Sequence, residues 1–503
     1  MNVVMKKHRR PGCGAMVALA GVLLAGCTME PTYHRPAPPL AKTFPKAPDM
    51  GTKDASAKTD AALQTPASDI GWQDFFTDPR LKALIGIAMR ENRDLRSAVA
   101  SIAQAAGQYD VQHASLFPAI GATGAAMYMQ PSQTAGFSFA PGVGENISTF
   151  RYYTAGIGFS SYEIDVFGRI RSLSHASAEA ALKQVATERA LRISIVSQVA
   201  NAYLAWLGDR EVLQIANEAV ANLEENLRLI RLRYDHGEEN LLTVQQAQTQ
   251  VDQAAQLRAQ QMRLVAQDEN AITLLIGAPI PDTLPPPRPL GEQTLMADVP
   301  EGLPSDLLYR RPDIIAAEHD LLSANANIGA ARAAFFPKFT LTATDGLSSL
   351  MWHRLFTAPA TTWGLQPNIT IPIFTWGQNR GNLEVAKAER DVRVAAYEKA
   401  IQTAFKEVSD TLVARPTYME EAHRMDDLVH ASSESYRLSR MRYEAGTDSY
   451  LNQLVAQRTL LQAEQSRVAV LVARYENLVT FYRALGGGWS EKTLRSPRVP
   501  AKL

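Results

Sequence analysis

Few residues in this chain have the types and spacing that catalysis requires. Both cysteines, Cys13 and Cys27, lie within the first 27 residues, so the rest of the chain has no thiol for a disulfide, a thiolate zinc site or a cysteine nucleophile. The nine histidines are scattered from His8 to His430, without the HExxH spacing of a zinc protease. No G-x-S-x-G elbow presents a serine nucleophile. We therefore expect neither an enzyme nor a bound metal or other cofactor.

Cys27 has a different chemistry, because it ends a targeting segment. Four basic residues between positions 6 and 10 precede an apolar stretch, Gly14 to Leu24, that is too short to span a bilayer. The run Leu24-Ala25-Gly26-Cys27 resembles a bacterial lipobox, which implies acylation of Cys27 and cleavage before it. Several acyl chains on one residue give firm anchoring. Thr28, in place of an aspartate, implies sorting to the outer membrane. The alternative is an ordinary secretory signal with a cysteine that has no role.

Charge does not identify a partner, but the pattern of the chain predicts long helices. The 51 basic and 51 acidic residues cancel, so nothing attracts the chain to nucleic acid. No proline occurs between Gly142 and Ala278, and the stretch after Ser174 is rich in good helix formers. A helix over 174–235 would extend about 90 Å. The other predicted helices are 241–276, 382–443 and 450–485, and apolar residues seven apart in the last predict a coiled-coil seam.

Four other segments have a period of two, which is typical of strands. They are 119–130, 151–163, 338–345 and 364–375, and the clearest alternates Phe339, Leu341 and Ala343 with threonines. About ten residues is the length that a tilted membrane strand needs. Four strands cannot close a barrel, so membrane-spanning strands would have to come from several chains, and a trimer would supply twelve. A soluble β-meander is the alternative.

The chain is also an internal duplication. Phe117-Pro118 matches Phe336-Pro337 at a separation of 219 residues, whereas Arg233-Tyr234 matches Arg442-Tyr443 at 209. A constant separation over so long a stretch predicts two copies of one strand-strand-helix-helix unit. The predicted segments are a signal peptide (1–26), a lipid-anchored strap (27–66), a first repeat (67–285), a Pro-rich linker (286–304), a second repeat (305–486) and a tail (487–503).

These features together resemble a known family. The run from Gly302 to Ile314, GLPSDLLYRRPDI, and the paired Phe-Pro junctions are similar to those of the outer membrane factors of resistance-nodulation-division efflux systems, in their lipoprotein branch. The resemblance covers nearly the whole mature chain. It implies a mainly α fold with a membrane β part: a homotrimer whose twelve-stranded β-barrel continues into a long periplasmic α-helical barrel. The implied function is a passive exit channel for small molecules, gated at its periplasmic end.

The same resemblance implies where the gate lies. In this family the turns between long helices close the periplasmic end, and the matching turns here are 234–240 and 443–452. The candidate gate residues are Glu238, Glu239, Tyr443, Asp448, Tyr450 and Asn452, with Arg440 and Arg442 as counter-charges. Three symmetry-related carboxylates near one axis would repel each other unless they are paired or hydrated. The alternative is that these acids only solvate an exposed turn.

The implied partners are a periplasmic adaptor protein and an inner-membrane resistance-nodulation-division transporter, with outer-membrane lipid around the barrel. Two other functions stay open. A duct for protein secretion would have the same architecture, and a structural coiled-coil lipoprotein would explain the helices but not the paired strands.

Overall fold

The computed structural model of the chain describes residues 28–41, 43–45, 71–130, 150–293 and 310–487. Cys27 and residues 302–309 of the family-like run lie outside these ranges. The helices are α1 (Trp72–Phe75), α2 (Pro79–Glu91), α3 (Arg93–Ala114), α4 (Arg169–Asp235), α5 (Leu241–Ile276), α6 (Pro312–Ala333), α7 (Gln378–Glu444) and α8 (Tyr450–Ala484). The strands are β1 (Gly121–Met129), β2 (Phe150–Ile164), β3 (Lys338–Ser349) and β4 (Thr361–Thr370).

The longest helices are α4 and α7, each of 67 residues and therefore about 100 Å long. Both begin earlier than the predicted positions 174 and 382. In each repeat the helix starts directly after a glycine in the left-handed conformation, Gly168 (φ 74°) or Gly377 (φ 85°), which lets the chain turn sharply from the strand segment into the helix. Pro416 lies inside α7. No described helix has the length and apolar character needed to cross a membrane.

The four strands form one antiparallel sheet in the order β1-β2-β3-β4. The last strand is shorter at its end than predicted, because it stops at Thr370 and not at position 375. Pro372 follows closely and has no N–H to donate to a ladder. Pro367 is tolerated within β4 because this strand is at the edge of the sheet.

The register gives the sheet two chemically different faces. Ile157 and Phe159 of β2 share one face with Leu365 and Ile369 of β4, because Phe159 pairs with Ala343 and Ala343 with Leu365. The other face is polar and contains Thr340, Thr342, Thr344, Gln366 and Asn368. A bulge at Ser161 (φ 54°) shifts the alternation of β2 by one residue. Tyr162 therefore pairs with Leu341 and lies on the apolar face. Asp345 is an exception, since it pairs with Ile157 and Trp363 on that face.

Separate apolar clusters hold the long helices at intervals along their length. The largest surrounds the fully buried Tyr203 and Phe76, where the rings of Phe75 and Tyr482 stack at 4.1 Å and join α1 to α8. A second cluster centres on Tyr397 in α7. A third joins the ends of α4 and α5, with Ile230 at its centre. The four helices are therefore held together as far as their distant turns.

The N-terminal strap is docked on α6. Arg35 forms a bidentate pair with Glu318, with distances of 2.8 and 2.7 Å, and the amide of Asn325 donates to the carbonyl of Pro31 at 2.8 Å. At Gly329 the strap passes so close that an added Cβ would overlap Glu30. Glu30 and Gly329 lie near the end of α6, just before β3. Thr28, the first described residue, is therefore beside the helix-proximal ends of the strands.

Candidate functional site

The two turns that join the long helices have the same backbone geometry. The turn between α4 and α5 contains Gly237 (φ 77°), and the turn between α7 and α8 contains Gly446 (φ 72°). The N–H of each glycine donates to the carbonyl three residues earlier, at 2.9 Å in both turns. This is the left-handed glycine cap that satisfies the last carbonyls of a helix. We call these two turns, residues 235–241 and 444–450, the helix-turn end.

Asp448 is the centre of a polar cluster in the second turn. Its carboxylate accepts from the amide of Asn452 at 2.6 Å, from the N–H of Ser449 at 2.8 Å and from Nε of Arg442 at 3.1 Å. The amide of Asn452 is the largest of the causes that hold the pKa of Asp448 below its usual range, followed by Ser449 and then Arg442. The carboxylate is therefore ionised throughout the neutral range.

Tyr443 links the two helix pairs of the chain. Its hydroxyl donates to Oε1 of Glu239 at 2.8 Å, although the two residues are 204 positions apart. Burial, with the hydrogen bond to Glu239, raises the pKa of Tyr443 to about 12. The guanidinium of Arg233 lies 5.6 Å from the centre of the Tyr443 ring, which is within the range of a cation-π contact.

Tyr450, the first residue of α8, makes a second link between the two helix pairs. The amide of Asn226 in α4 donates to the hydroxyl of Tyr450 at 3.3 Å, and the rings of Tyr443 and Tyr450 lie 5.4 Å apart. Burial raises the pKa of Tyr450 to about 12, so it stays neutral. The two tyrosines form a polar and aromatic latch between the α4–α5 pair and the α7–α8 pair, which we call the tyrosine latch.

The structure groups most of the predicted gate residues, but not all of them. Asp448, Asn452 and Arg442 form one cluster, and Glu239 joins Tyr443 and Tyr450 in the tyrosine latch. Arg440 is not part of either group: within the described residues it lies 3.5 Å from Glu444, one helical turn away on its own helix. Its expected role as a counter-charge to these acids stays a prediction. Glu238 is exposed, with no side-chain partner among the residues that the structure describes.

Two residues of the site, Arg233 and Asn226, are not among the predicted gate residues. For Arg233 a signal existed, because it occupies the position in the first repeat that Arg442 has in the second. The duplication therefore gives each turn an arginine at the same place, although each has a different partner. For Asn226 nothing in the local sequence distinguishes it from other polar residues on the exposed face of a long helix.

The contacts of the site are of two kinds. The hydrogen bonds and the ion pair of Asp448 lie within the second turn, whereas the hydrogen bonds from Tyr443 to Glu239 and from Asn226 to Tyr450, with the Arg233–Tyr443 ring contact, join the two helix pairs. Among the described residues there is no cluster of histidine and acidic side chains that could hold a metal ion. The contacts therefore favour a closure that can be released.

Comparisons with known proteins identify the family and the fold of the chain. A sequence model of the family described as "Outer membrane efflux protein" matches residues 84–278 and 303–487, one match in each repeat. Two Pseudomonas putida proteins, "Antibiotic efflux pump outer membrane protein ArpC" and "Toluene efflux pump outer membrane protein TtgC", are each 42% identical over 95% of this chain and 96% of theirs. The open-state structure of the Neisseria gonorrhoeae MtrE outer membrane channel has a TM-score of 0.81 at 35% identity, covering 92% of this chain and 98% of its own. The predicted duplication and mainly helical fold class are confirmed.

Proposed function

The chain belongs to the outer membrane efflux protein family, and from this we propose that it forms the outer-membrane exit duct of a tripartite pump. In this proposal the duct is passive and catalyses no reaction. Its sheet lies in the outer membrane, its long helices extend into the periplasm, and the helix-turn end is the periplasmic gate.

The sheet is the observation that carries this proposal. One face is apolar and suits lipid, whereas the other is lined with threonine and amide side chains and suits water. Within the described residues, the outer edges of β1 and β4 have no partner strand. An open edge in lipid costs several kcal/mol for each unpaired backbone group, so the edges must pair with other copies. Three copies would close a barrel of twelve strands.

We expect the purified protein to be a trimer. The measurement is native mass spectrometry from detergent, which should give three times the mass of one chain at all protein concentrations tested. The duct proposal would be contradicted by a stable monomer, because a four-stranded open sheet cannot enclose a pore.

The relatives support a proposal for the pump partners and for the exported class. We propose a periplasmic adaptor and an inner-membrane resistance-nodulation-division transporter as partners, with the adaptor contacting the helix-turn end. Relatives over almost the whole chain are named for toluene and for antibiotics. Small organic molecules of these kinds are therefore the proposed cargo, and the polar face of the sheet would let them pass without a specific binding pocket.

We also propose that Cys27 bears the lipid anchor. Thr28 lies beside the helix-proximal ends of the strands, which is the level of the inner leaflet if the sheet spans the outer membrane. Acyl chains on Cys27 would then enter the bilayer next to the protein, because Cys27 directly precedes the docked strap.

Cys27→Ser is expected to abolish incorporation of a clickable fatty acid in growing cells. The thiol is the only acceptor for the diacylglyceryl group, so the loss should be complete. Cys13→Ser is the matched control and should leave labelling unchanged, because Cys13 lies in the predicted signal peptide. Label retained on the Cys27→Ser chain would show that the anchor assignment is wrong.

A further inference from the structure

The connection between β3 and β4 is an ordered tip with a large exposed apolar surface. It contains two short 3-10 helices, Trp352–Arg354 and Ala358–Ala360. Leu355 and Ala360 are buried and fix its shape. The four large apolar side chains at its surface are 49–70% exposed: Leu350, Met351, Trp352 and Phe356. We call residues 350–360 the β3–β4 tip. Exposed apolar groups on an ordered loop indicate a surface that another component covers.

The contacts of Trp352 show towards which side of the sheet the tip is folded. Its ring lies 5.7 Å from the ring of Tyr153, in an edge-to-face arrangement. Tyr153 belongs to β2 and alternates with Tyr152 and Thr154, so it shares the apolar face with Ile157. Its hydroxyl is 3.1 Å from that of Tyr128 on the same face. The tip therefore leans over the apolar face and not over the polar face that would line the pore.

The charge of the tip is entirely basic. Between Leu350 and Ala360 the charged or titratable residues are His353 and Arg354, and there is no aspartate or glutamate. Arg354 is exposed, and its side chain has no ion-pair partner within the part of the chain that the structure describes. Two hydrogen bonds hold its backbone. The N–H of Arg354 donates to the carbonyl of Met351 at 3.1 Å, and the hydroxyl of Thr357 donates to the carbonyl of Arg354 at 2.7 Å. A fixed backbone thus presents the Arg354 cation between two aromatic side chains.

We propose that the β3–β4 tip docks on the outer leaflet, with Trp352 and Phe356 in the interfacial layer and Arg354 bound to lipid phosphate groups. The inference rests on the proposed function, because it needs the apolar face of the sheet to lie in lipid. Amphipathic aromatic rings favour the boundary between headgroups and acyl chains, and arginine matches phosphate geometry. The charge of the tip favours this occupant over a second copy of the chain, whose corresponding tip would be equally basic. The tip would fix the depth and tilt of the barrel at its outer rim.

The test uses a fluorophore on single introduced cysteines in the full-length protein, reconstituted in vesicles that contain nitroxide lipids. Ala358→Cys reports on the tip, Leu365→Cys on the apolar face and Gln366→Cys on the polar face of the same strand. The parent protein treated with the same reagent gives the background. The vesicles are phosphatidylcholine with or without phosphatidylglycerol, and each label is also tested with iodide in the water phase.

With phosphatidylglycerol we expect lipid quenching at position 358 to be as strong as at 365, and weak at 366. Arg354→Gln should reduce quenching at 358 about twofold, whereas Arg354→Lys, which keeps the charge, should retain most of it. Quenching at 365 but not at 358 would overturn the docking proposal and leave the membrane sheet intact. Shielding of 358 from iodide without lipid quenching would also overturn it, because a second copy would then cover the tip. Equal quenching at 365 and 366 would overturn the proposed function itself.

Discussion

Tyr443→Phe is expected to shift the helix-turn end towards an open state. The variant keeps the ring and its contacts with Arg233 and Tyr450 but loses the hydroxyl that donates to Glu239 at 2.8 Å. Glu239 then has no Tyr443 hydroxyl to accept from, and the two helix pairs lose one of the hydrogen bonds between them. A hydrogen bond to a charged group contributes about 1.5–3 kcal/mol. The open fraction should therefore rise about tenfold or more, since about 1.4 kcal/mol corresponds to a factor of ten.

The measurement for this variant is the susceptibility of cells to an antibiotic too large for ordinary porins, such as vancomycin. A duct that opens without its partners should make the cells more sensitive, without any fall in the amount of assembled protein. Arg437→Gln is the matched control, because the partners that Arg437 has among the described residues, Glu434 and Met441, lie on its own helix. If Tyr443→Phe and Arg437→Gln had the same effect, the tyrosine latch would not be a gate.

Arg311→Met is expected to be the most destabilising single change outside the apolar clusters. The side chain of Arg311 is only 8% exposed and binds Asp313 at 2.8 Å and Glu407 at 3.0 Å. Its Nη1 also donates to the carbonyl of Ala484, so that one side chain joins the start of α6 to α7 and to the end of α8. Removing it leaves two carboxylates and a buried carbonyl without their main donor. We expect a loss of about 3 kcal/mol, since the acids keep partial access to water.

Arg310→Met provides the control for this change, because Arg310 is the neighbouring residue of the same type and is exposed. Thermal loss of helical circular dichroism in detergent should show a midpoint lower by about 3–6 °C for Arg311→Met and nearly unchanged for Arg310→Met. Equal midpoints for the two variants would mean that Arg311 does not hold α6 to α7 and α8.

Much of the fold could be predicted because its information is local and periodic. The helix that ends at Asp235 and the one that spans 241–276 are found at those positions, since glycines and caps define them. The duplication was visible because both repeats keep their landmarks at fixed separations. Some errors are at the strand-to-helix junctions, where a left-handed glycine such as Gly377, or Pro372 with its missing N–H, overrides an otherwise continuous pattern. Others are at the opposite end of the second hairpin, where β3 extends to Ser349 and β4 begins at Thr361.

The candidate site was less predictable than the fold, because its contacts connect distant parts of the chain. The turns and their charged residues could be listed from the sequence. The hydrogen bond between Tyr443 and Glu239 joins residues that are 204 positions apart. It depends on how the two helix pairs pack against each other, and a local sequence pattern carries no information about that packing. Arg440 and Arg442 could not be separated by type or spacing. Only the cap geometry places Arg442 beside Asp448 and leaves Arg440 with Glu444.

The most direct test of a gated duct is the conductance of the purified protein in a planar lipid bilayer, for the wild type and for Asp448→Ala. Removing the carboxylate frees Arg442, Asn452 and the N–H of Ser449 at the start of α8, so the turn loses its internal contacts. We predict rare or small openings for the wild type and frequent, larger openings for Asp448→Ala. A wild type that conducts fully and is unchanged by the substitution would contradict the gate. The absence of a channel in both proteins would contradict the duct.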